Sequence, residues 1–495
     1  MKLVRLNIVN YRLFKNLNID FDKNDVVTTI IGRNGSGKTT LIECLTRIFS
    51  DLLKCETVDD FKSIETPFDF SVTYLLRKEN SLETIFEETA YKNYIGIEIA
   101  KNNGEVTLIL YEGDRVYDKW EDIVKQTREA GSGLKYLLPD NFVVYYSGIA
   151  EVILAIYREF QKTIILGSLD GDVKIEQPFY YFIPENLEPI IISLLLFEFG
   201  DIPEKLKIKF GIEGFRSVSI IFKKPKWAKS KSLSETFWGA KGGLQVFLST
   251  LKESANTTKL ENNTIEFIFS SRQNLDKVRE YYRTEKRVFE YLVALQANDL
   301  VESINVTLLK GGLDLNCQRL SEGEKQLLII NGLKELLAAE NTLFLLDEPD
   351  TYLHPEWKRA FIHDIIKEDD RFKNSIIVTS HSPNIISGMK RGQLKILKNE
   401  RGIADLKQFT INPYGKPVDQ LLIDFFGVEG LRYIKVEDDL NTLWELLKNE
   451  KYSDSAFTEL FQKLEKEIGK DDPKLTSLKI EIIKRTNANA KNKEG

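Results

Sequence analysis

The run Gly32-Arg33-Asn34-Gly35-Ser36-Gly37-Lys38-Thr39 has the spacing GxxxxGKT. Glycines at these intervals let backbone N–H groups turn inward around a polyphosphate. Lys38 then reaches the β- and γ-phosphates and the Thr39 hydroxyl holds Mg²⁺. Asn34, Gly35, Ser36, Gly37 and Thr40 complete the cradle. The β-branched run Val26-Val27-Thr28-Thr29-Ile30-Ile31 before it reads as a buried strand. Leu41-Ile42-Glu43-Cys44-Leu45 after it opens a helix, whose N-terminus adds partial positive charge. A glycine-rich turn that binds nothing is the competing reading, and a second match downstream argues against it.

That match is Thr342-Leu343-Phe344-Leu345-Leu346, a second buried strand, ending in Asp347-Glu348-Pro349-Asp350. An acid at the C-terminal end of a parallel strand faces the crevice where such sheets bind ligands. Asp347 is therefore placed to hold the magnesium through water, and Glu348 to orient an attacking water. A third strand, Ser375-Ile376-Ile377-Val378-Thr379-Ser380, ends in His381, which can donate to a γ-phosphate. A buried structural histidine is the plainer alternative. Together these residues predict ATP and Mg²⁺ as ligands and hydrolysis as the reaction.

Leu320-Ser321-Glu322-Gly323-Glu324-Lys325-Gln326, followed by an apolar helix from Leu327 to Ala338, resembles the LSGGQ-type signature of ABC ATPases. Ser321 and Gly323 at a helix N-terminus make an anion site. In that class the site grips the γ-phosphate bound to the opposite subunit, which implies a homodimer or higher oligomer. An ordinary N-cap with a Ser321–Glu324 capping box fits the same residues. The opening Leu3 to Phe14 and the run Asp347 to Pro355 resemble the SMC-, RecF- and OLD-like branch, where Arg12 would approach the nucleotide. That branch carries a Mg-contacting glutamine after a lobe-linking strand. Phe142-Val143-Val144-Tyr145-Tyr146-Ser147-Gly148 has none, and Ser147 is the substitute metal contact expected here.

Several further runs resemble the ATPases of bacterial antiphage defence systems. They are Leu138 to Gly148, Ile221-Phe222-Lys223-Lys224-Pro225-Lys226-Trp227, Phe237 to Gly242, Gly415 to Val428 and Gly469 to Pro473. The likeness is to Septu-type PtuA and to retron- and restriction-associated ATPases, with the PARIS ATPase AriA more distant. It implies an ATPase that controls a separate effector, an HNH or Toprim nuclease. Three rivals remain: an OLD-like ATPase-nuclease, for which Glu429 and Asp471-Asp472 would be the acids, a RecF-like repair ATPase that binds DNA directly, and a transporter ATPase subunit, against which the missing glutamine and the run Asp347 to Pro355 argue.

The positioning elements follow from motif order. The fold class is α/β, an ABC-type P-loop head with a mixed sheet and an antiparallel β subdomain. Residues 1–150 form the N-terminal lobe, with a hairpin turn expected at Asn102-Asn103-Gly104. Residues 151–310 form a compact, mainly helical insert without sustained heptads, 311–410 the C-terminal lobe and 411–495 a helical region. The 495 residues are 42% hydrophobic and 29% charged with net charge −6, which excludes a chain that wraps nucleic acid over its whole surface. Five lysines from Lys223 to Lys231 beside Trp227 leave a local nucleic-acid patch open, against the reading of a solvated loop. The longest apolar stretch, Ile190 to Phe197, is far short of the about 20 residues a membrane span needs. The opening residues lack a leader pattern. Cys44, Cys55 and Cys317 form no CxxC pair, so a reducing cytoplasm is expected. His363 is assigned no role, and the tail from Asn487 is expected to be disordered.

Overall fold

The three runs that read as buried strands, Val27–Ile31, Thr342–Asp347 and Ser375–Ser380, are buried at every position and lie side by side in a computed structural model of the chain. Burial on both faces is what an unbroken apolar run in a parallel sheet requires. The structure describes all residues except 79–82, 87–88, 132, 169–176, 198–201, 229–236, 262, 368–374, 429 and 492–495. The described residues form two compact units, Met1–Gly415 and Lys416–Gly495.

In the larger unit a seven-stranded sheet runs in the order Phe179–Tyr181, Asn141–Tyr146, Thr342–Asp347, Ser375–Ser380, Val27–Ile31, Leu394–Glu400, Ile403–Leu406. Its strands are parallel apart from the final hairpin. A six-stranded antiparallel sheet contains Lys2–Tyr11, Phe14–Asp20, Asp69–Arg77, Tyr94–Asn102 and Glu105–Glu112. The turn expected at Asn103-Gly104 is there, with both residues at positive φ (50° and 85°), as a two-residue hairpin needs. The helix Lys38–Leu53 places Leu41, Ile42, Leu45, Ile48, Phe49 and Leu52 in one apolar core with the inward faces of both sheets.

The insert holds more helix than strand, as expected, but its helices accompany a five-stranded antiparallel sheet that the sequence reading did not anticipate. The long strand Ile212–Lys223 pairs on one side with Thr264–Phe269 and on the other with Val301–Lys310. Gly214 and the register shifts along the second ladder interrupt the alternation that would have announced it. One edge strand of the sheet, Leu313–Asn316, leads into the Leu320–Gln326 segment that resembles the signature.

The smaller unit is helical, with Val418–Phe426, Ile434–Lys448, Ser455–Ile468 and Pro473–Lys491. The last three of these close on Leu440, Leu443, Leu447, Phe457, Leu464, Leu475 and Leu478. Asp472, one of the three candidate nuclease acids, caps the last helix through the N–H groups of Lys474 and Leu475 and pairs with Arg432 at 2.6 Å. Glu429 lies outside the described residues.

Candidate functional site

Register decides which side chains meet at the C-terminal edge of the parallel sheet. Tyr146 is the partner of Asp347, Asp347 of Thr379, and Thr379 of Ile30, one residue before the P-loop strand ends. The strand ending in Ser380 therefore separates the P-loop from the acidic pair, and His381 projects between them.

The loop closes as its composition requires. Gly37 caps the helix at φ 101°, a left-handed conformation that favours glycine, and the Ser36 N–H donates to the Arg33 carbonyl. Asn34, Gly35 and Thr39 are exposed, and Asn399 steadies the loop by donating to the Gly35 carbonyl at 2.9 Å. Lys38 is buried, and its Nζ donates to the Gly32 carbonyl at 3.1 Å. Burial lowers its pKa, while Glu348 and Asp347 pull the other way.

His381 links this lysine to the acid. Its Nδ1 is 3.3 Å from Lys38 Nζ and its Nε2 is 2.5 Å from Glu348 Oε1. The partners assign the Nε2–H tautomer, with Nδ1 accepting from lysine. The hydrogen bond from His381 lowers the Glu348 pKa, so the carboxylate is ionised at neutral pH. Glu348 sits at φ 52°, and its N–H donates to the carbonyl and the hydroxyl of Thr379. A non-glycine residue in this region is strained, and the two Thr379 bonds hold it there.

Asp347 is fully buried. One carboxylate oxygen accepts from the Thr379 hydroxyl, and Oδ2 has no hydrogen-bond partner of acceptable geometry. Burial raises its pKa, and the Thr379 and Thr39 hydroxyls oppose the rise. An orphaned carboxylate oxygen that feels the Thr39 hydroxyl suits a hard, oxygen-seeking cation. Among the described residues no cluster of three or more His, Cys, Asp or Glu could hold a metal alone. Magnesium needs no such cluster where phosphate supplies further oxygens.

The other predicted residues are placed as follows. Arg12, at φ 48°, pairs with Glu43 of the P-loop helix at 2.8 Å, and the Tyr11 hydroxyl donates to the other Glu43 oxygen at 2.5 Å. Ser147 donates its N–H to the Asp347 carbonyl at 3.2 Å, while its hydroxyl is hydrogen-bonded to that of Thr351. Ser321 caps the helix Glu322–Leu337 in a reciprocal capping box. Its hydroxyl donates to Glu324 at 2.9 Å and accepts from the Glu324 N–H. Lys310, from the insert sheet, pairs with the same carboxylate. Burial would raise the Glu324 pKa, but Lys310 and the Ser321 donors outweigh it and lower the value. A Cβ on Gly323 would stand 2.9 Å from the Tyr352 carbonyl and 3.5 Å from the Trp357 ring. In the lysine-rich run, Trp227 donates its ring N–H to the Asn298 carbonyl and Lys223 pairs with Asp299. Lys229 and Lys231 lie outside the described residues.

Thr379 and Glu43 were missed in the sequence. Thr379 meets Asp347 through strand register, which no local pattern announces. Nothing in the spacing ties Glu43 to Tyr11 and Arg12, which lie 32 and 31 residues away.

Comparison with known proteins places the chain in a family. The family model described as AAA ATPase domain matches residues 1–386. A retron Ec83 probable ATPase of Escherichia coli is 23% identical over 98% of this chain and 87% of its own length. A retron Vc95 probable ATPase of Vibrio cholerae serotype O1 biovar El Tor is 21% identical over 85% and 78%. Among solved structures, an SMC head domain from Thermotoga maritima is 15% identical, covers 83% of this chain and 100% of its own, and has a TM-score of 0.32. An SMC head domain bound to the C-terminal domain of ScpA, from Pyrococcus furiosus, has 14% identity, 83% and 96% coverage and a TM-score of 0.33. No helix among the described residues is long and apolar enough to cross a membrane. The chain belongs to the AAA ATPase domain family.

Proposed function

Starting from that family, we propose that the chain is a Mg-dependent ATP hydrolase of the ABC class whose heads dimerise around nucleotide and command a separate effector in antiphage defence. The observation that carries the catalytic part is the Lys38–His381–Glu348 chain beside the orphaned oxygen of Asp347. The two retron relatives support the defence setting.

In this reading Lys38 gives up His381 and turns to the β- and γ-phosphates. Thr39 and Asp347 hold the magnesium, whose charge offsets that of the phosphates. His381, released by Lys38, keeps Glu348 aimed through Nε2–H, and reports the γ-phosphate by donating from Nδ1 once that nitrogen also carries a proton. Glu348 orients the water for in-line attack and takes its proton. Arg12, fixed by Glu43 and Tyr11, approaches the nucleotide from the first hairpin. Ser321 and Gly323 serve the partner subunit's nucleotide, so two heads enclose two ATP molecules. The lobes at 1–150 and 311–410 form the head together with the first part of 151–310. Ile153, Tyr157 and Phe160 of that part join the head core, and its Phe179–Tyr181 strand edges the head sheet. The rest of 151–310 is the insert and 411–495 the helical extension. The effector is a nuclease of HNH or Toprim type, and the setting is cytoplasmic.

The test uses two variants of the full chain. Lys38→Ala weakens ATP binding, read by isothermal titration. Glu348→Gln keeps binding, lowers hydrolysis by roughly two orders of magnitude (about 3 kcal/mol of barrier) and accumulates ATP-bound dimers on size exclusion with light scattering. Ordinary turnover in Glu348→Gln would sink the assignment.

A further inference from the structure

The stretch where a glutamine was expected has a second polar residue, and the geometry favours it over Ser147. The Ser147 hydroxyl is already hydrogen-bonded to that of Thr351 at 3.2 Å, and the Ser147 N–H is bonded to the Asp347 carbonyl. Tyr146, one residue earlier, is the last residue of its strand and the register partner of Asp347. Paired residues of parallel neighbours project to the same face of a sheet, so the phenol and the Asp347 carboxylate share a face. The tyrosine ring is half-buried and packs against the head core. Among the described residues its hydroxyl has no hydrogen-bond partner, while burial and then the Asp347 and Glu348 charges act on it. The phenol O–H is thus a donor on the face of the sheet that carries the Asp347 carboxylate. The chain also leaves it room: a Cβ on Gly148 would lie 3.2 Å from the Tyr146 ring and 3.7 Å from its hydroxyl.

We infer that the Tyr146 hydroxyl is a further polar arm of the hydrolysis site, donating a hydrogen bond to the water that Glu348 orients. This rests on the ATPase reading above. The geometry gives the water two fixed partners: Glu348 accepts its proton, and the phenol O–H donates to its oxygen, which aims a lone pair away from the carboxylate. The ring, clamped at its base by the core, restricts where that donor can point. No covalent bond to tyrosine forms, and the proton of the water goes to Glu348.

The experiment compares Tyr146→Phe, Ser147→Ala and Glu348→Gln in the full chain. For each, kcat and KM for Mg-ATP are measured beside the Kd of a fluorescent ATP analogue and the thermal midpoint. Tyr146→Phe keeps the ring packing and removes only the donor. Its kcat is expected to fall about 10- to 100-fold, with KM, Kd and midpoint close to wild type. Ser147→Ala is expected to stay within about twofold in kcat. A kcat loss in Ser147→Ala as large as that in Tyr146→Phe, with affinity and midpoint unchanged, would return the role to Ser147 and overturn the inference. Gly148→Val, which presses on the ring edge, should reproduce the kcat loss with the phenol still present. Wild-type turnover in Tyr146→Phe while Glu348→Gln is inactive overturns this inference alone. Wild-type turnover in both overturns the ATPase reading as well. A joint fall of kcat, nucleotide affinity and midpoint in Tyr146→Phe assigns the residue to the core and also overturns the inference.

Discussion

The two segments proposed to bind nucleotide phosphate, the P-loop with its acids and the Ser321–Gly323 helix start, are built differently. The P-loop, Asp347, Glu348 and His381 hang from the ends of strands buried on both faces, where neighbours fix each position through ladder bonds. Ser321 and Gly323 begin a helix whose N-terminus is held by one capping box and by Lys310 on an insert strand. In the first half, precision comes from the core, and the cost is a fully buried carboxylate with an orphaned oxygen. In the second half, position comes from polar contacts near the surface, which individually contribute little. A site meant to stay assembled suits the first construction. A site that responds to something outside the head suits the second, and the Lys310 contact joins it to the insert.

Asp347→Asn presses hardest on this contrast. Burial raises the Asp347 pKa above 3.8, so the folded protein holds that proton more tightly than the unfolded chain does. Stability from this group is therefore present at low pH and is lost as pH rises through the raised folded value. The asparagine variant removes that loss. Its metal-free midpoint at pH 7 should equal or exceed wild type, while Mg-ATP turnover falls by about two orders of magnitude or more. A midpoint well below wild type, by differential scanning calorimetry, would break the idea that buried charge is what the rigid half tolerates for function.

Ser321→Ala tests the other half. Loss of the cap should lower stability by about 1 kcal/mol in urea unfolding and leave nucleotide affinity of the single head unchanged. Nucleotide-dependent dimerisation of Glu348→Gln, Ser321→Ala should disappear on light scattering. Persistence of the dimer would mean that the capping box is all this segment does.

The smallest effect is expected at Lys310. Its pair with Glu324 is partly exposed (side chains 25% and 21%), so Lys310→Ala should change stability by less than about 1 kcal/mol. Its consequence should show in dimer affinity instead, as a shift of a few-fold with unaltered single-head ATP binding. Equal dimer affinity in the variant would uncouple the insert from the signature segment.

The contrast also explains what could be read in advance. Val27–Ile31 and Thr342–Asp347 announce themselves because strands buried on both faces need continuous apolar residues, and glycine spacing reports the loop directly. The strand Ile212–Lys223 gave no such signal. Its bulges break the period, and Val301–Lys310, one of its partners, is about 90 residues away. The Tyr11–Glu43–Arg12 cluster and the role of Thr379 arise from the packing of a helix on a hairpin and from sheet register, neither of which leaves a local pattern. Trp227 was legible as an aromatic among lysines, but its indole N–H is bonded to Asn298, a use that its neighbours in sequence do not foretell.

The closeness of Gly323 to an indole has an optical consequence. The chain has five tryptophans, and Trp357 is the one seated against the signature glycine, with 39% of its surface exposed. A phosphate arriving over Gly323 would exclude water from that ring and place negative charge beside it. Its emission should then shift in wavelength as heads close. With Trp357→Phe as the blank, the native protein would carry its own dye for that closure, readable in a stopped-flow cell without a label.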